Sequence, residues 1–251
     1  MRTSRIRQLA AALGLAVTAL PALAFDGWHL EGATMVEGKG SGWDYVAIDS
    51  ANGNLFVGHR KEGLQVFDLA TRKLKKIIGT TANDSSNGAT LIPEFDLGVS
   101  YNENGTITPF KLSTLEASPS IKIGEELDAT HYDPATKRLV ANMAAGKDGT
   151  DLVVIDVPSL KVAGTIKVTT KKPEHAEADG RGVLFLASRD ENKVYRLDTK
   201  AMKVTAEWPT PGCAQTNGLA LDAKNRRSSL AVVVLPVRRP HSPSWMPTAA
   251  R

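Results

Sequence analysis

Between Asp179 and Trp208, apolar and polar positions alternate in short bursts cut by turn residues. The turn Asp179-Gly180-Arg181-Gly182 leads into the apolar run from Val183 to Ala187, and a charged turn, Arg189-Asp190-Glu191-Asn192, follows. The alternating stretch Lys193 to Leu197 comes next, then a turn at Asp198-Thr199-Lys200 and a last stretch from Met202 to Trp208. Alternation with a period of two, bounded by Gly, Asn and Asp, predicts short β-strands. Three such strands need a fourth on their N-terminal side, and a sheet of that size cannot bury both faces alone. The unit must therefore recur.

It does recur. An Asp (Asp49, Asp133, Asp179, Asp222) precedes an apolar strand at intervals of 84, 46 and 43 residues, the first interval spanning two periods. The skipped copy falls near Leu91, where the apolar pattern continues without the aspartate. A second marker closes the following strand at Asp68, Lys111, Asp156 and Asp198, at intervals of 43, 45 and 42 residues. In the first unit, Tyr45 to Ile48, Leu55 to Gly58, Leu64 to Phe67 and Leu74 to Ile78 are the expected strands. Four-stranded units of this length packed around an axis make a β-propeller; a sandwich has no reason to keep a fixed period, and a solenoid coil usually has fewer strands per turn. The predicted fold is all-β: an incomplete propeller of about four blades plus the start of a fifth.

Composition adds a compartment. Three arginines (Arg2, Arg5, Arg7) precede the apolar segment Leu9 to Leu20, Pro21 breaks it, and Ala22-Leu23-Ala24 supplies the small residues of a cleavage site. Residues 1–24 read as a signal peptide, which gives a mature chain from Phe25, periplasmic or secreted, with no membrane span after cleavage. The net charge of +4 is carried largely by arginines near the two ends. The internal pairs Arg72-Lys73, Lys75-Lys76 and Lys171-Lys172 read as solvated turns, so nucleic acid is not an expected partner. Cys213 is the only cysteine, an orphan in an oxidising compartment.

The repeats resemble those of the YVTN-type (YncE-like) bacterial β-propeller proteins. Leu55-Phe56-Val57, Val153-Val154-Ile155-Asp156 and Lys161-Val162 carry the resemblance, which extends from about Trp28 to Arg227. It implies a ring of about seven blades, with Trp28 to Val36 contributing a strand to the closing blade, and a monomer once the ring is complete. It specifies a fold and leaves the activity open.

Past Arg227 the pattern stops. Residues 228–251 hold four prolines and three arginines, with no acidic residue and no turn marker. Codons can be chosen so that the same nucleotides, read one base earlier, encode an LFVG strand, cysteines that could partner Cys213, and an AVMD strand end. The expectation is a frameshift after Arg227, a partial propeller over residues 25–227, and an aberrant basic, Pro-rich tail over 228–251, disordered by composition. Such a chain should form an open arc with exposed sheet faces and edges.

The loop before each innermost strand of a propeller borders one mouth of the central channel. Counting five residues back from each first marker gives Asp44, Asp128, Glu174 and Asn217, with Ser86 at the projected position in the second unit. These oxygen donors either solvate the mouth or hold Ca²⁺ or another divalent cation. Asn217-Gly218-Leu219-Ala220 resembles a ligand segment of gluconolactonase-like propellers, which carries Asn217 over as a metal ligand. His131 and His175 should flank the same mouth. No nucleophile elbow, paired-cysteine motif or phosphate loop occurs. Two functions stay open: a non-enzymatic exported module binding a small molecule or a protein on its loop face, and a metal-dependent gluconolactonase-like hydrolase. A role as accessory to periplasmic dehydrogenases is a third.

Overall fold

The structure, a computed structural model, describes residues 29–30, 32–36, 38, 40–79, 85–225 and 227–232. It divides into two compact units, Met1–Val36 and Glu37–Arg251. The described residues of the first unit carry no helix or strand, so the strand expected over Trp28 to Val36 is not formed there. The expected signal peptide lies outside the described residues.

The second unit is all-β. Its first sheet is β1 (Trp43–Asp49), β2 (Asn54–His59), β3 (Gly63–Asp68) and β4 (Leu74–Ile78). The second is β5 (Ser86–Ile92), β6 (Leu97–Asn102), β7 (Thr106–Lys111) and β8 (Ile121–Lys122). The third is β9 (Leu127–Asp133), β10 (Arg138–Met143), β11 (Thr150–Asp156) and β12 (Lys161–Val168). The fourth is β13 (Pro173–Ala178), β14 (Val183–Ser188), β15 (Lys193–Asp198) and β16 (Lys203–Pro209). A fifth sheet holds β17 (Thr216–Asp222) and β18 (Arg227–Val232). Every sheet is an antiparallel meander in chain order. The only helical turn among the described residues is Pro93–Phe95, which replaces the missing aspartate turn of the second unit.

The recurring aspartates work as turn caps. Asp49 accepts from the Asn52 backbone N–H at 3.2 Å, Asp133 from Ala135 at 3.0 Å, Asp179 from Arg181 at 2.8 Å and Asp222 from Asn225 at 3.1 Å. At the second marker, Asp68 holds Thr71 and Asp198 holds Ala201, both at 2.7 Å. A carboxylate that satisfies turn N–H groups fixes the turn without tertiary help, which is why the residue type repeats.

The cores lie between sheets. Phe56, Leu64, Val66 and Ile78 of the first sheet meet Phe110 of the second, together with Leu112 and Leu115 beyond β7. Ile92, Val99 and Ile107 of the second meet Leu127, Leu139 and Ile155 of the third. Val140, Leu152, Val154 and Ile166, on the other face of the third, meet Leu184, Leu186, Tyr195 and Leu197 of the fourth. Period-two alternation thus sends Leu139 and Val140 into different cores, and both are buried. The first strands β1, β5, β9, β13 and β17 stand side by side, each beside the next. This is a propeller-like arc whose sheets do not close into a ring. Val46 and Ile48 of β1 are 65% and 59% exposed, so among the described residues no sheet covers that face of the first sheet.

One boundary differs from expectation. β18 carries the fold five residues past Arg227, paired with β17 from Asp222↔Arg227 to Thr216↔Val232. Leu230 explains the continuation, because it packs with Ala187, Val194 and Leu219 and so supplies the apolar inward residue a second strand needs. Residues 233–251 lie outside the described residues.

Candidate functional site

Each innermost strand begins with a break in its pairing register. The break falls between Trp43 and Val46 in β1, Ser86 and Gly88 in β5, Leu127 and Ala129 in β9, Pro173 and Ala176 in β13, and Thr216 and Leu219 in β17. A bulge leaves residues unpaired and re-aims their side chains, a device common beside binding sites. The residues so placed include Asp44, Asn87, Asp128, Glu174 and Asn217, each one position after the first residue of its strand.

This corrects the expectation for Ser86. Ser86 is the residue before the bulge; it is fully buried, and its hydroxyl sits 2.9 Å from Ser100 Oγ and 3.2 Å from the Gly88 carbonyl. A slip of one residue exchanges the two faces of a strand, so the equivalent position in the second unit is Asn87, which is itself buried. Its Nδ2 donates to the carbonyls of Leu127 and Asp128 at 3.1 and 3.2 Å, tying the second sheet to the third.

The other four expected residues come together. Asp44, Asp128, Glu174 and Asn217 line one cavity of about 890 Å³, with Trp43, Tyr45, Glu126 and the cations Arg60, Lys171, Lys172 and Arg189. The cations change the chemistry. Arg60 binds Asp44 Oδ2 through Nε at 2.9 Å and Nη2 at 2.5 Å, and the same Nη2 lies 3.9 Å from Asp128. Arg189 Nη1 lies 3.6 Å from Glu174 Oε1, and Asn217 donates Nδ2 to Glu174 Oε2 at 2.8 Å. Guanidinium and amide N–H groups therefore occupy positions that a cation would need as oxygens. Among the described residues no three His, Cys, Asp or Glu side chains converge to hold a metal ion. The donor set does not fit Ca²⁺, which requires six to eight oxygens.

Burial raises two carboxyls of the mouth, Glu174 and Asp128. Desolvation, then the nearby Asp128, pushes Glu174 up to about 7, against the opposing pull of Arg189. Asp128 is raised by burial and by Asp44. Tyr45 is raised above its ordinary value by burial and by the charges of Asp128, Glu174 and Asp44, so its phenol stays neutral.

His131 and His175 do not line this cavity. They face a smaller one of about 330 Å³, shared with Tyr45, Tyr101 and Glu177, so Tyr45 borders both spaces. His131 is buried edge-on to His175 at 5.2 Å, and burial followed by the charge of His175 lowers it to about 3. It is a neutral acceptor for the Ala176 N–H at 3.3 Å and part of the packing. His175 stacks on Tyr45 at 6.2 Å and lies 3.0 Å from Glu177.

Sequence reasoning passed over Arg60 and Arg189. Each directly follows the second strand of its sheet, in the parallel strings Leu55-Phe56-Val57-Gly58-His59-Arg60 and Leu184-Phe185-Leu186-Ala187-Ser188-Arg189. That correspondence was the available signal. Lys171-Lys172, read as a solvated turn, also contributes to the cavity wall. No protein-family model matches the chain, and no curated protein matches it.

Proposed function

We propose that this chain is an exported, non-enzymatic propeller-type binding module of the YncE-like kind, which takes a small polar ligand at its channel mouth. The observation that carries this reading is the bulge-built cavity, where Asp44, Asp128, Glu174 and Asn217 share one space with Arg60 and Arg189. Ion pairs arranged before a ligand arrives suit recognition of a polar molecule, because they need no reorganisation on binding. Export is supported by the arginine-led apolar segment that ends at Ala22-Leu23-Ala24. The metal-dependent hydrolase has less support, since Asp44 Oδ2 and Glu174 Oε2 are engaged by N–H donors and no third His, Cys, Asp or Glu ligand converges with them among the described residues.

A screen of polar metabolites by calorimetry tests the reading, with Ala145→Trp as the control. Ala145 is an exposed residue of the cavity wall, so an indole there occupies the mouth without entering the core. Ligands that bind the native chain should lose at least tenfold in affinity to this variant. Ligands that bind both proteins equally would move the site elsewhere.

A further inference from the structure

The charges of the mouth cavity are segregated. The first and third sheets and their adjoining loops contribute the carboxylates Asp44, Glu126 and Asp128 against the single guanidinium of Arg60. The fourth sheet and its loops contribute Lys171, Lys172 and Arg189 against the single carboxylate of Glu174. One side is therefore net acidic and the other net basic. Among the mouth carboxylates that are not fully exposed, Asp128 is the least satisfied: it accepts no hydrogen bond among the described residues, and its nearest cation, Arg60, stands at 3.9 Å, already bound to Asp44 through two nitrogens. A half-buried carboxylate without a donor is a place where a ligand's N–H groups gain most.

We propose that the ligand of this mouth is a small zwitterion, an amino acid or short peptide, with its ammonium group on Asp128 and its carboxylate on the Lys171, Lys172 and Arg189 side. This rests on the reading of the mouth as a binding site and specifies its ligand class. The cavity of about 890 Å³ has room for several residues of peptide. Three amine hydrogens match what Asp128 lacks, and the planar guanidinium of Arg189 is a natural partner for a carboxylate. Burial and then the charge of Asp44 raise the Asp128 carboxyl, and a cation placed there relieves that repulsion.

Calorimetry on the full chain at pH 8 with triglycine, its N-acetyl form, its C-terminal amide and maltose decides the matter. Triglycine should bind, and blocking either end should weaken it at least tenfold. In Asp128→Asn, an isosteric change at a half-exposed position, triglycine and its N-acetyl form should bind equally, while the C-terminal amide keeps its disadvantage. Lys172→Gln should reduce the preference for a free carboxylate and leave the preference for a free amine intact. Equal binding of the blocked and free peptides would overturn the zwitterion. So would binding of maltose alone, which leaves the mouth a binding site for another class. Binding of none of these probes to a protein with an unchanged melt would overturn it as well.

Discussion

Single residues at the mouth set its response to pH. Unfolded, Glu174 ionises near its ordinary value of 4.5; in the fold, burial and Asp128 hold it at about 7. Between these values the folded chain keeps a proton that the unfolded chain has released, so stability falls as pH rises through that window. His131 acts with the opposite sign: lowered from 6.5 to about 3, it costs stability as pH falls below 6.5, because only the unfolded chain takes up the proton. Comparison with Glu174→Gln cancels the histidine contribution. The native chain should lose on the order of 2 kcal/mol relative to the variant between pH 4.5 and 7.5, read from urea midpoints. Asp128, raised in the same direction, adds to the native slope and persists in the variant. Parallel pH profiles for the two proteins would show that Glu174 titrates normally.

At the level of strands and turns, the glycines separate two roles. A Cβ added at Gly58 would stand 2.2 Å from the Asn87 carbonyl oxygen, where the first sheet approaches the second backbone to backbone. No rotamer relieves that clash, so Gly58→Ala should destabilise by about 2–3 kcal/mol, measured by chemical denaturation. Gly53 meets nothing within 4 Å and has φ +67°, so Gly53→Ala should cost only the left-handed strain, about 1 kcal/mol. A Gly58→Ala cost as small as the Gly53→Ala cost would mean that the two sheets separate easily at this joint. Most of this level was legible. The four strands expected in the first unit lie within β1 to β4, because turn aspartates and period-two alternation are local signals. The bulges were not legible, since they depend on pairing with a partner strand. The count arrived at Ser86 because the second unit lacks the aspartate and its marker was projected at Leu91; pairing with β6 puts the strand-closing position at Ile92, five residues after Asn87. Arg60 and Arg189 escaped for a related reason: charged residues after a strand look solvated until the channel brings them beside Asp44 and Glu174.

Across the molecule, each sheet is held by the cores it shares with its neighbours, so stability should be graded along the arc. The third sheet has buried side chains on both faces, with Leu139 and Val140 both about 99% or more covered. The first sheet exposes Val46 and Ile48, and the fifth has two described strands. Amide hydrogen exchange should find the slowest amides in β10 and β11, and the fastest strand amides in β1 and β18. Uniform protection across all five sheets would show that the arc opens as one body. Periodicity made the fold class legible, yet it could not reveal that Leu230 anchors a strand beyond Arg227, because the markers end before it. The repeated bulge has a further consequence. At Asp44, Asp128, Glu174 and Asn217 its side chains are released from the alternation that fills the cores, so these positions can vary while the sheets stay as they are. The first strand of each of these four sheets thus offers one socket whose occupant can be exchanged, and a handful of such exchanges would give the same scaffold a new selectivity.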